Sequence, residues 1–222
     1  MYVEPIVSSS GLVCLVGGAK LEKTAISAVF PLVDAFIGVD GGADHLLQAG
    51  ILPAAVVGDL DSLSDQARDA FRDRLCHISE QSTTDFEKAL SRVAAPMILA
   101  LGFTGGRMDH ALSVLNVMAR LSDRAVILAD DHDVCFVPRI GATQFSLPKD
   151  TRVAIMPLGP AAVTVRGLQW SFAETVMEPA GYISPSNAAR GGIVEINTNG
   201  PVLITLPRVH LPTALQAAAR AG

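Results

Sequence analysis

Gly58-Asp59-Leu60-Asp61-Ser62 sets two carboxylates two residues apart. In an extended segment, side chains at that spacing share a face. Two converging carboxylates repel unless a cation joins them, and Mg²⁺ prefers such hard oxygens while keeping several waters. The segment could equally form an Asx turn, with Asp61 or Ser62 capping a following helix. Further along, Gln81-Ser82-Thr83-Thr84-Asp85-Phe86-Glu87-Lys88 reads as a helix start. Thr83 or Thr84 can cap it, and Asp85 and Glu87 suit its positive end. Capping alone would explain Asp85, but Asp85 should open on the same sheet edge as Asp59. Gly102-Phe103-Thr104-Gly105-Gly106-Arg107-Met108-Asp109-His110 brings a glycine-rich turn, an arginine and an acid to another helix start. Arg107 can fork onto a phosphate. Asp109 could be a cap, a metal ligand or the orienter of a substrate hydroxyl, and His110 reads as structural or surface. Together these residues describe magnesium-dependent phosphotransfer, with Asp59, Asp61, Asp85, Arg107 and Asp109 as the catalytic candidates and Asp59, Asp61 and Asp85 as the metal ligands.

Two more glycine motifs suit a nucleotide. Gly17-Gly18-Ala19-Lys20 lets backbone N–H groups approach a phosphate, or is an ordinary tight turn. Asp40-Gly41-Gly42-Ala43-Asp44 could hold a ribose, order a phosphate loop or cap a helix. Gly17, Gly18, Asp40, Gly41, Gly42, Gly106 and Arg107 are therefore candidate phosphate or nucleotide contacts.

The elements that must position these residues follow from hydrophobic patterning. Nearly all-apolar runs at 11–16, 35–39, 54–57, 97–101 and 125–129 have the length of strands buried on both faces. Helix-like stretches at 21–29, 43–49, 64–74, 85–93 and 109–121 alternate with them. This alternation predicts an α/β domain with an open, mostly parallel sheet over residues 1–132. Ligands of such sheets bind beyond the carboxyl ends of the strands, where the ends at 40–44, 58–62 and 102–109 carry Gly with Asp and the end at 17–20 carries paired Gly. From 133 the texture changes to short strands at 144–147, 152–156, 162–166, 193–196 and 202–206, divided by turn signals such as Asn199-Gly200-Pro201. Residues 133–222 read as an all-β, sandwich-like domain, and the Ala-rich tail Thr213–Ala221 as a short helix or a frayed end.

Composition excludes several classes. Of the 222 residues 50% are hydrophobic, enough for a large buried core. A net charge of −5 leaves no basic face for nucleic acid. No apolar run reaches the length of about 20 residues that spans a bilayer, and MYVEPIVSSS lacks the basic start and apolar core of a signal peptide. Cys14, Cys76 and Cys135 are scattered and odd in number, which argues against a disulfide framework or zinc site and for the cytoplasm.

The ordered set Asp40-Gly41-Gly42-Ala43, Gly58-Asp59-Leu60-Asp61-Ser62, Thr84-Asp85 with Glu87-Lys88-Ala89, and Gly105-Gly106-Arg107-Met108-Asp109-His110 followed by Asn116 resembles the thiamine pyrophosphokinase family. Pro157-Leu158-Gly159, Gly167-Leu168-Gln169-Trp170 and Ser186-Asn187 resemble its substrate-side elements. The resemblance implies ATP and Mg²⁺ in the first domain, with Gly17, Gly18, Asp40, Gly41, Gly42, Gln81, Thr84, Gly106 and Arg107 as the ATP contacts, a C-terminal β-sandwich, and a homodimer with thiamine between subunits. It implies transfer of pyrophosphate from ATP to the thiamine hydroxyl, with AMP released. Trp170 would offer an aromatic face to thiamine, Ser186 would hydrogen-bond its pyrimidine, and Asn187 would complete the substrate set. For Trp170 a place in the β core is an equal reading. Where many relatives carry a further acid before the Thr-Asp pair, Ser82 stands here. A pyrophosphokinase for another alcohol, such as a pterin, and a silent thiamine- or nucleotide-binding module are the alternatives.

Overall fold

Each of the five apolar runs of the first half forms a strand in the computed structural model, which describes residues 4–219. Met1, Tyr2 and Val3 of the leader reading, and Arg220 and Ala221 of the tail, lie outside these residues. The chain divides into two compact units: residues up to 114 with 129–131, and residues 115–128 with those from 132 on.

The first unit holds strands β1 (Val7–Ser8), β2 (Leu12–Val16), β3 (Ala35–Val39), β4 (Ala55–Gly58), β5 (Leu75–His77), β6 (Val93–Ala94) and β7 (Met97–Leu101). Its helices are α1 (Lys23–Val29), α2 (Gly42–Gln48), α3 (Asp65–Ala70), α4 (Asp85–Ser91) and the start of α5 (Met108–Arg120). Strands run in the order β7-β2-β3-β4-β5, all parallel, while β1 and β6 form a separate parallel pair. Val13, Cys14, Leu15 and Val16 are consecutive and fully buried. Burial at successive positions means that both faces of the sheet are covered. Each such large aliphatic side chain contributes about 1.5–3 kcal/mol.

Parallel strands put all their carboxyl ends on one edge. There α2 starts against the end of β2 so closely that a Cβ on Gly42 would lie 1.8 Å from the Val16 carbonyl oxygen. The helix starts are set by short polar side chains, as the Ser64 hydroxyl accepts from the Ala67 N–H at 3.1 Å and Thr84 Oγ1 accepts from the Glu87 N–H at 3.3 Å.

The second unit contains β8 (Val126–Ala129) up to Leu128, then β9 (Asp133–Phe136), β10 (Gly141–Leu147), β11 (Arg152–Pro157), β12 (Ala161–Arg166), β13 (Phe172–Met177), β14 (Ser184–Ala188), β15 (Gly192–Thr198), β16 (Val202–Pro207) and α6 (Leu211–Ala218). Two antiparallel layers form, β14-β11-β16-β9 and β10-β15-β12-β13. Phe136 of one and Phe145 of the other meet edge to face, ring centres 6.1 Å apart. The alternation in β10 buries Thr143, Phe145 and Leu147 and exposes their neighbours, as a sheet with one wet face requires. The tail's helix spans Leu211–Ala218 and buries Leu211, Ala214 and Ala218.

Candidate active site

Asp40, Asp59 and Asp61 converge at the carboxyl edge of the first unit's sheet, each offering an oxygen within 4.8 Å of the others. Their meeting follows from strand order. β3 and β4 are parallel neighbours with Val39 opposite Val57, and the Asp40 N–H donates to the Val57 carbonyl at 2.9 Å. The residues that follow the two strands therefore emerge side by side, about 4.8 Å apart. Asp40 sits at φ 48° and Leu60 at φ 63°, both in the left-handed region. For Leu60 that conformation is strained, and strain of this kind collects at functional sites. It is held by the buried Leu60 side chain and by Arg68, whose Nη2 donates to the Leu60 carbonyl at 2.7 Å.

The Asp59–Asp61 segment is thus a turn and not an extended run. The Asp61 N–H donates to Asp59 Oδ1 at 3.4 Å, an Asx turn, and the carboxylates still converge. Turn and cation site coexist. Capping by Asp61 or Ser62 does not occur, because Ser64 caps α3. Ser62 instead serves the acids: its hydroxyl donates to Asp61 Oδ1 at 2.9 Å and its N–H to Asp40 Oδ1 at 3.4 Å.

The two half-buried acids are tuned in opposite directions. Burial pushes the Asp40 carboxyl above its ordinary range and Asp85 adds to the rise, against hydrogen bonds from Ser62 and the Gly41 N–H. For Asp59 the push from burial is outweighed. Gln81 Nε2 donates to Oδ2 at 3.3 Å, the Asp61 N–H donates, and the positive Lys88 is near, so the carboxyl falls below its ordinary value. Three carboxylates with one held at a desolvation cost make a hard-oxygen donor set suited to Mg²⁺. Ligands about 2.1 Å from one ion stand roughly 3–4 Å apart, so a slight inward shift from the present spacing closes the set.

Asp85 stands apart from that trio. It opens α4 in the first turn, and its Oδ1 takes Lys88 Nζ at 2.9 Å. Lys88 is only 2% exposed, and a buried ammonium needs such a partner. Asp85 still acts on the trio through its charge on Asp40. Two participants carried no clear sequence signal. Asp40 as a member of the acid cluster requires knowing that β3 neighbours β4. Lys88 reads as one more surface lysine of an amphipathic helix, and its burial appears only once α4 is packed.

The glycine loops meet backbone to backbone. Gly17 N–H donates to the Leu101 carbonyl at 2.8 Å and Ala19 N–H to the Gly102 carbonyl at 2.9 Å. A Cβ on Gly17 would lie 2.5 Å from the Gly102 carbonyl oxygen, and Gly18 lies against Gly41. Gly106 is open apart from Ala19. Beyond this loop Arg107 forks onto Asp109, Nε to Oδ1 at 3.1 Å and Nη2 to Oδ2 at 2.5 Å, with both side chains largely in solvent. The guanidinium holds the Asp109 carboxyl below its usual range. His110 is exposed beside it, and its backbone N–H and its charge add to the lowering of Asp109.

In the second unit Trp170 is 61% exposed, so it is no part of the β core. Buried Asn187 clamps its backbone: the Trp170 N–H donates to Asn187 Oδ1 at 3.1 Å, and Asn187 Nδ2 donates to the Trp170 carbonyl at 2.8 Å. Ser186, exposed on β14, precedes the clamp by one residue. The structure gives Asn187 the role of a support and leaves the Trp170 ring and the Ser186 hydroxyl open to solvent.

Comparison with known proteins bears on this arrangement. The family described as "Thiamin pyrophosphokinase, catalytic domain" matches residues 29–128, and "Thiamin pyrophosphokinase, vitamin B1 binding domain" matches residues 143–203. The chain is 28% identical over 213 residues to thiamine pyrophosphokinase 1 of Oryza sativa subsp. japonica, covering 87% of this chain and 77% of that protein. It is 36% identical over 90 residues to thiamine pyrophosphokinase of Bacillus subtilis, covering 37% and 42%. Among solved structures, thiamin pyrophosphokinase from Candida albicans superposes with a TM-score of 0.79 at 16% identity, over 93% of this chain and 95% of that one. The enzyme from Geobacillus thermodenitrificans does so at 0.75 and 24%, over 89% and 97%. With both family domains matched in order along it, the chain belongs to the thiamine pyrophosphokinase family.

Proposed function

We propose that this protein transfers a pyrophosphoryl group from ATP to the hydroxyl of thiamine, giving thiamine diphosphate and AMP. The observation that carries the chemistry is the convergence of Asp40, Asp59 and Asp61 at the sheet edge where nucleotides bind. The vitamin B1 binding match over residues 143–203 supports thiamine as the acceptor.

The hydroxyl oxygen bonds to the β-phosphorus as the bond from that phosphorus to the α-bridging oxygen breaks; AMP leaves with the electron pair, and the hydroxyl proton is released to water. Catalysis of this type is mainly positioning and charge neutralisation. A Mg²⁺ held by Asp40, Asp59 and Asp61, with Asp85 beside them, would neutralise phosphate oxygens and orient the chain of phosphates. The glycine loops at 17–18 and 41–42 pack backbone against backbone and so bring the ends of β2 and β3 close together at this edge. Arg107 is at a solvent-open position, so its fork can turn from Asp109 to phosphate without uncovering buried charge. Asp109, held strongly ionised by Arg107, is a weak base. Its role is to orient Arg107 and the acceptor hydroxyl. Trp170 would stack on a thiamine ring, with Ser186 as a hydrogen-bond partner and Asn187 fixing the Trp170 backbone.

A homodimer working in the cytosol belongs to the same reading. The three scattered thiols support that compartment, and no helix among the described residues is long and apolar enough to cross a membrane. The test is a panel of alcohols incubated with ATP and Mg²⁺ and scored for AMP. AMP with thiamine and not with a hydroxymethyl pterin is expected. AMP with the pterin alone would move the substrate, and no AMP with any acceptor would reduce the chain to a binding module.

A further inference from the structure

The segment between β5 and α4 is held by one carboxylate that plays no part in the acid cluster. We propose that Glu80 is a positioning residue, gathering Ser82 and Thr83 onto its carboxylate so that Gln81, at the apex of the curl, is presented to Asp59. Oε2 accepts from the Ser82 N–H at 2.8 Å, the Ser82 hydroxyl at 2.6 Å and the Thr83 N–H at 3.1 Å, while Oε1 accepts from the Thr83 hydroxyl. Four donors from two successive residues, on one ionised group, fix the backbone on the far side of Gln81. On the near side the Ile78 N–H donates to the Gly58 carbonyl at 2.8 Å, prolonging the β4–β5 pairing. Thr84 closes the segment as the cap of α4. Gln81 is thus pinned from both directions, and its Nε2 reaches Asp59 Oδ2 at 3.3 Å.

The same donors hold the Glu80 carboxyl down to about 2. It is therefore ionised throughout the neutral range, and the curl persists wherever the protein is active. Ser82 serves this curl twice, donating to Glu80 through both its N–H and its hydroxyl.

The kinetic arm of the test rests on the pyrophosphokinase reading, and the spectroscopic arm does not. Glu80→Gln keeps size but offers only neutral acceptance. It is expected to lower kcat roughly 10-fold, the scale of a small misplacement of a catalytic group, with KM for thiamine within about two-fold and an unchanged Tm. Gln81→Ala should show the same loss, and the double variant should be no worse than Gln81→Ala, because both act through one contact. Ser82→Ala combined with Thr83→Val removes the two hydroxyl donors, leaves the two N–H donors, and should shift kcat in the same direction as Glu80→Gln by a smaller factor. In the ligand-free protein, the Gln81 side-chain amide pair should be dispersed by NMR in the parent and move to solvent-like shifts in Glu80→Gln. A normal kcat in Glu80→Gln, multiplying losses in the double variant, or an unmoved Gln81 amide would overturn the proposal. A parent that forms no AMP would overturn the functional reading, and the amide spectrum would then decide the placement of Gln81 by itself.

Discussion

Asp40 and Asp59 answer protonation with opposite signs. Asp59 has a folded-state pKa below its unfolded value, so it stabilises the fold above the unfolded carboxylate range and loses that contribution as pH falls through the folded value. Asp40 has a raised folded pKa, so its ionised form costs stability once pH rises above the ordinary carboxylate range. Asp40→Asn should therefore raise Tm slightly at neutral pH in metal-free buffer, since Asn tolerates the left-handed conformation at φ 48°. The gain should vanish near pH 3, and turnover should be lost at every pH. Thermal scans at both pH values check this, and a Tm that falls at neutral pH contradicts it. Asp59→Asn should cut kcat by about 10²-fold or more, comparable to the loss of one preorganised electrostatic group, while the protein stays folded. At this scale the sequence displayed Asp59 and Asp61 because they are two residues apart. It hid Asp40, whose membership depends on a neighbouring strand, and it could not show that Asp85 pairs with a buried Lys88.

Elements explain why the acids meet at all. Gly42 lets α2 begin against the end of β2, and that contact sets where Asp40 emerges. Gly42→Ala would place a Cβ 1.8 Å from a carbonyl oxygen and should cost about 1–3 kcal/mol, lowering Tm by about 2–4 °C for each kcal/mol. Gly41→Ala, whose Cβ would have its nearest neighbour at 3.3 Å and whose φ is −54°, should fold like the parent. Equal Tm values in the two variants would refute the packing argument. The strands rich in Val, Leu and Ile were legible because burial on both faces demands apolar residues at every position. β13 and β14 were not: Phe172–Met177 is an exposed strand of mixed character, and Ser184–Ala188 is polar and carries Pro185, a residue confined to edge strands. Short β5 has too few residues to show a pattern, and the helix expected over 64–74 stops at Ala70, with a separate 3-10 turn at Arg72–Arg74.

For the molecule as a whole, the two units carry different duties. Trp170→Ala removes a ring that is 61% exposed, so Tm should hardly move, while KM for thiamine should rise several-fold if stacking contributes about 1 kcal/mol. A large drop in Tm with unchanged KM would return Trp170 to a structural role. The proposed homodimer predicts a sedimenting species of twice the 23.2 kDa chain mass, and a single-chain mass would exclude it. A lone tryptophan in a β-rich sequence could not declare its exposure, because core and binding face call for the same residue. The central claim, a pyrophosphoryl transfer built on the Asp40, Asp59 and Asp61 cluster, is tested most directly by following the β-phosphorus. With thiamine, Mg²⁺ and ATP labelled at the β-phosphate, the label should appear in thiamine diphosphate, leaving unlabelled AMP, and Asp59→Asn should abolish that transfer. Label recovered in ADP, or undiminished transfer by Asp59→Asn, would contradict it.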